Sequence, residues 1–194
     1  MSKLFLTLVV GLGLALAGCT GMRTVDADVQ TFSSLAALPS PASFKFDRLP
    51  SQTGDNKHQA DAERFTQAAL TKVGLQLDEA NARYAVQIGV RVQRQDRMDW
   101  PEAWQYWGFG GPHYWRMNPW PRYWGPPTLW YEREISLTLR DLQTGQVVYE
   151  THAHQASTSS DSKLLIPAMF DASLVGFPAG APTIHNVTVQ VPGT

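Results

Sequence analysis

His152 and His154 flank Ala153 in a run of alternating residues, so on an extended strand both imidazoles point to one face. Two imidazoles placed that way can share a divalent cation, and Glu150 lies on the same face as a third candidate ligand. The same spacing describes any polar, solvent-facing strand of a hairpin, and no metal is expected there. Carboxylates for acid–base work on a glycan would come from Asp99, Glu102, Glu132 and Glu134, whose spacing carries no signature. Nucleophilic catalysis has less support: there is no Gly-x-Ser-x-Gly elbow, and Ser157 to Ser160 reads as a polar linker. Gly108-Phe109-Gly110-Gly111 lacks the strand–turn–helix setting of a phosphate loop, and His113 beside it reads as a loop hydrogen-bonder. These residues lead to no catalytic group and no cofactor.

The remaining chemistry sits at Cys19, the one cysteine of the 194 residues. The chain begins Met1-Ser2-Lys3, runs apolar from Leu4 to Ala17 and reaches Leu16-Ala17-Gly18-Cys19. One basic residue, an apolar run too short to span a bilayer and small residues before the cut describe a secretory signal. The last four residues resemble the bacterial lipobox. That resemblance implies a signal peptide over 1–18, a lipidated Cys19 and a tether over 19–23, with the membrane as a partner. Each buried methylene of an acyl chain contributes about 0.8 kcal/mol. Thr20 rather than aspartate follows the cysteine, which by resemblance to lipoprotein sorting patterns implies the outer membrane and a periplasm-facing domain. With its thiol acylated the domain has no disulfide and depends on a packed core. Sixteen basic residues against 17 acidic ones give a net charge of −1, with no basic field for nucleic acid.

All seven tryptophans fall between Trp100 and Trp130, interleaved with tyrosine, glycine and proline. That density of glycine and proline breaks helices and strands, so residues 98–130 are expected as one long loop. Trp104, Trp107, Tyr114, Trp115, Trp120 and Trp124 are its contact candidates. Aromatic faces stack on sugar rings, rest at membrane interfaces and dominate protein interfaces, so a glycan, the bilayer and an envelope protein are the occupants considered. The competing expectation is that these side chains fold back as a private cap over the domain.

The elements that must position these groups follow from periodicity. Thr24–Phe32 and Ser43–Leu49 alternate as strands and are expected to pair with each other. Residues His58–Val73 carry Ala62, Phe65, Ala69 and Val73 at helical spacing, with Gly74 as the stop and Glu63, Arg64, Gln67 and Lys72 on the solvated face. Leu75–Leu77 is a short extended piece. Tyr84–Gln93 is the clearest strand, with one wet face. Tyr131–Arg140 and Val147–His154 form a hairpin about a turn containing Gly145, and Tyr84–Gln93 is expected beside it. Lys163–Val175 reads as a second helix in which Pro167 is tolerable only within the first turn. His185–Val191 alternates as a short edge strand. The expectation is a single α+β domain over 24–194: an antiparallel sheet with two helices packed on one face and a long aromatic Gly/Pro-rich loop.

In order, the lipobox, a strand ending Thr31-Phe32, the amphipathic helix and Ala82-Arg83-Tyr84-Ala85-Val86 form a pattern. It continues through the Gly/Tyr/Trp-rich segment, Leu139-Arg140-Asp141, Gly145-Gln146-Val147-Val148-Tyr149, Ala168-Met169-Phe170 and Phe177-Pro178. This pattern resembles a proteobacterial lipoprotein family whose periplasmic domain is catalogued as of unknown function. The resemblance covers nearly all of the exported chain but rests on apolar positions and turns, so it implies a fold and an address and carries over no catalytic residue. Together these readings lead to an outer-membrane-anchored envelope protein without enzymatic activity that makes contact through its aromatic loop. The alternative is an enzyme acting on envelope glycan or peptidoglycan.

Overall fold

The computed structural model describes residues 22–40, 42–54, 57–97 and 128–192. Among these residues seven strands and two α-helices follow one another as β1 (Met22–Ser33), β2 (Ser43–Phe46), α1 (Lys57–Lys72), β3 (Gln76–Leu77), β4 (Tyr84–Arg97), β5 (Thr128–Asp141), β6 (Val147–Ser157), α2 (Ser162–Ser173) and β7 (Ala181–Pro192). A 3-10 turn at Pro50–Gln52 precedes α1. The strands form one mixed sheet in the order β3-β2-β4-β5-β6-β1-β7. The domain is therefore α+β.

Two expectations about the sheet need correction. It is not wholly antiparallel, because β2 runs parallel to both β3 and β4. Nor does β2 pair with β1, which lies between β6 and β7 instead. Residues 34–42 carry the chain past the central strands, and α1 then returns it to β3 alongside β2, as a parallel pair requires. Period-two alternation reports a strand's faces and says nothing of its neighbours. The β4–β5 pairing holds as expected, in unbroken register from Tyr84 opposite Asp141 to Arg97 opposite Thr128. Both strands run past their expected ends, so Thr128, Leu129 and Trp130 belong to β5 rather than to a loop. At the far side β7 is an edge strand, as expected, and at Ala181–Pro192 it is longer than expected.

Alternate residues of the central strands bury one face: Val25, Ala27 and Val29 of β1, Tyr84, Val86 and Ile88 of β4, Ile135, Leu137 and Leu139 of β5. Both helices pack on this face and on each other. Ala62, Ala69 and Leu70 of α1 and Met169, Phe170 and Ala172 of α2 complete the core. Gly74, at φ 96°, ends α1 in the left-handed region that glycine reaches without strain. Asp161 caps α2, accepting from the Leu164 amide at 3.2 Å.

Pro167 stands in the second turn of α2, not the first. An interior proline costs about 3 kcal/mol. Burial of Leu165, Ala168, Met169 and Phe170 around it holds the helix together. Glu63 also departs from expectation. It is 9% exposed, and its carboxylate takes two 2.6 Å bonds from Arg48, just beyond β2. Lys72 reaches Asp171 of α2 at 2.7 Å rather than standing free.

Candidate functional site

Opposite the helices, the outward residues of the central strands form rows across the sheet. Asp28 (β1), His154 (β6), Glu134 (β5) and Arg91 (β4) make one row, and Gln30, His152, Ser136 and Gly89 make the next. Between the rows lies an open trough of about 660 Å³, with Ile184 of β7 on its wall. Gly89 deepens the floor: a Cβ there would stand 2.6 Å from the Ser136 hydroxyl oxygen. Glycine inside a strand marks a close approach or a depression.

Several polar groups of this face are paired. His152 Nε2 lies 2.8 Å from Glu150 Oε1 on the same strand, which bears out the shared face read from their spacing. Arg91 stands 3.7 Å from Glu134, Asn186 donates to Asp28 at 3.1 Å, and Gln30 donates to the Pro182 carbonyl at 2.8 Å. His154 stands in register between Asp28 and Glu134. Among the described residues no three histidine, cysteine or acidic side chains converge as a metal site requires. Of the four carboxylates weighed for acid–base work, Glu134 faces Arg91 and Glu132 accepts from Gln95 at 2.8 Å. Asp99 and Glu102 lie outside the described residues, as do Cys19, Trp104, Trp107, Tyr114, Trp115, Trp120 and Trp124.

The inner face holds a group that the strand pattern contained but that had not been singled out. Arg133 shares its parity with Ile135 and Leu137 and is completely buried. Its guanidinium donates to the Ser159 carbonyl (2.6 Å), Ser162 Oγ (3.1 Å), Gln155 Oε1 (3.2 Å) and the Tyr131 carbonyl (3.4 Å), and lies over the Tyr131 ring. Burial pulls its pKa below the usual arginine value, against the opposing pull of the Asp161 charge. This cation ties β5 to the turn that opens α2. At the other end of α2, Tyr149 and Thr151 both donate to the Ser173 carbonyl, at 3.0 and 3.1 Å. Burial pushes the Tyr149 phenol up to about 12.

The described residues therefore offer a framed polar sheet face and no assembled acid–base, nucleophile or metal constellation. Among solved structures, the chain resembles a PelC dodecamer from Paraburkholderia phytofirmans at 14% identity and a TM-score of 0.49, over 80% of this chain and 99% of that one. It also resembles a PDZ domain protein from Parabacteroides distasonis at 15% identity and a TM-score of 0.49, over 95% of this chain and 42% of that one. No curated protein matches it. The profile of one family covers residues 26–179, and the chain belongs to that family, described as a domain of unknown function, DUF4136.

Proposed function

We propose that this protein is a lipoprotein of the outer membrane that faces the periplasm and acts by contact rather than by catalysis, through its tryptophan-rich segment. The sequence supports the address: the lipobox-like Leu16-Ala17-Gly18-Cys19 follows directly on an apolar run. The observation that carries the contact reading is the β4–β5 hairpin. Its strands remain paired up to Arg97 and Thr128, so both ends of segment 98–127 spring from one point on a two-stranded stem. A ladder of paired backbone groups is a stiff mount, and binding residues on a connection set by a rigid scaffold are a recurrent arrangement. The partner is an envelope protein or an envelope glycan, for which aromatic side chains supply rigid, amphipathic area.

The test is photocrosslinking in intact envelopes from probes at Trp104 and Thr128, beside a variant lacking residues 107–124. Discrete adducts that vanish with the deletion are expected. A deletion variant that folds, keeps the same adducts and leaves the envelope unchanged would overturn the contact reading.

A further inference from the structure

β4 is 14 residues long and is paired with β5 along all of it, yet on its other side β2 covers only Tyr84 to Val86. The direction of its backbone groups is fixed by two contacts on that side: the Asp47 amide donates to the Val86 carbonyl at 2.8 Å, and Gln52 Nε2 to the Ile88 carbonyl at 2.9 Å. With period two, the N–H and C=O groups of Val90, Val92 and Arg94 point the same way. No strand among the described residues pairs with them. Along this edge the helix-side face carries Val90 and Val92, 38% and 45% exposed, followed by Arg94, which stands 3.9 Å from Asp96.

We infer that the outer edge of β4 from Val90 to Arg94 is a site of strand addition. It takes an extended segment of another protein with two apolar side chains two residues apart and an acidic side chain two further on. Unpaired backbone groups supply the hydrogen bonds, and alternate side chains supply the selection. The valines meet the apolar pair, and Arg94 meets the carboxylate. A second copy of this chain is a poorer match. In any antiparallel register that sets both valines against residues 88–96 of another copy, Arg94 falls opposite an aliphatic residue. An exposed edge that carries such a cation discourages its own pairing while leaving an acidic partner welcome. This inference stands independently of the tryptophan-rich segment, and either can fail without the other.

Amide exchange and fluorescence anisotropy on the full chain test it, with the palindromic probe acetyl-Glu-Thr-Val-Thr-Val-Thr-Glu-amide and its counterpart with lysine for glutamate. The amides of Val90, Val92 and Arg94 are expected to exchange fast in the free chain and to slow with the acidic probe, which binds at least tenfold tighter than the basic one. Val92→Pro removes an edge donor and leaves the bonds to β5 in place, because that amide points away from β5. It is expected to weaken the acidic probe at least tenfold with the thermal midpoint little changed. Arg94→Glu should reverse the preference, and it decides the question if the proline variant does not fold. Slow exchange of these amides in the free chain, equal binding of the two probes, no binding of either, or protection that depends on protein concentration would each overturn the inference.

Discussion

Replacing Arg133 with alanine removes a buried cation that donates to four acceptors on β5, β6, the turn before α2 and the first residue of α2. A hydrogen bond from a charged donor contributes about 1.5–3 kcal/mol, but the four share one desolvated guanidinium and do not add. A buried neutral acceptor left without a hydrogen bond costs about 1–3 kcal/mol, and truncation to alanine also leaves a cavity. Arg133→Ala is therefore expected to lose about 3–4 kcal/mol, and, for a domain of this size, about 10 °C in thermal midpoint. Arg133→Met refills the volume but leaves the same acceptors without a donor, so it is expected to recover only the cavity part of that loss, about 1 kcal/mol. Urea unfolding followed by far-ultraviolet circular dichroism reads both values. Amide exchange over residues 158–165 localises the damage, which should begin at the first turn of α2. A loss below about 1 kcal/mol for alanine, or a methionine variant as stable as the unaltered chain, would refute the assignment of Arg133 as the tie between sheet and helix.

Three further outcomes are expected. Burial raises the Tyr149 phenol to about 12 from an unfolded value near 10, so its stabilisation is complete below pH 10 and is lost as pH rises toward 12. Tyr149→Phe should cost about 1 kcal/mol at neutral pH and flatten that alkaline limb in a series of thermal melts. The bonds from Arg48 hold the Glu63 carboxyl below its usual range, so its contribution is present above about pH 4.3 and fades as pH falls through the lowered value. Because Arg48 is half exposed, Glu63→Gln should cost only about 1 kcal/mol in denaturant unfolding, with a shallower acid limb. Cys19→Ala should move the protein from the outer-membrane fraction to a precursor form on fractionation and immunoblotting; unchanged membrane recovery would remove the lipid-anchor reading.

The framework was legible wherever one face of an element is buried. Tyr84, Val86 and Ile88 announced β4 by alternation, and Ala62 and Ala69 announced α1 by helical spacing, because burial writes its own period into the sequence. The neighbours of β2 were not legible: a four-residue strand has faces but no address, and its place depends on the path of 34–42 and α1. Glu63 was misplaced because a carboxylate near a helix start reads as solvated until a partner such as Arg48 arrives from another element. Arg133 lay in plain view, two residues before Ile135, and following parity without regard to charge would have found it. For the site, the spacing of Glu150 and His152 correctly implied a shared face, whereas the trough at Gly89 depends on β1, β4, β5 and β6 lying side by side. Such proximity is tertiary and leaves no local mark.

The position of β1 has a consequence for assembly. Its two neighbours are the strands whose partners stand farthest along the chain: Asp28 faces His154 on one side and Asn186 on the other. The first of the described strands to be synthesised is thus the one whose seat is completed only when the last of them has been made. Closing loops that long is slow compared with forming the β5–β6 hairpin or either helix. Until β7 arrives, β1 can hold at most one of its two neighbours, and until α2 has been made nothing covers the apolar stripe of Val25, Ala27 and Val29. A chain threaded start-first must carry that stripe in waiting, and a holdase would find its grip there.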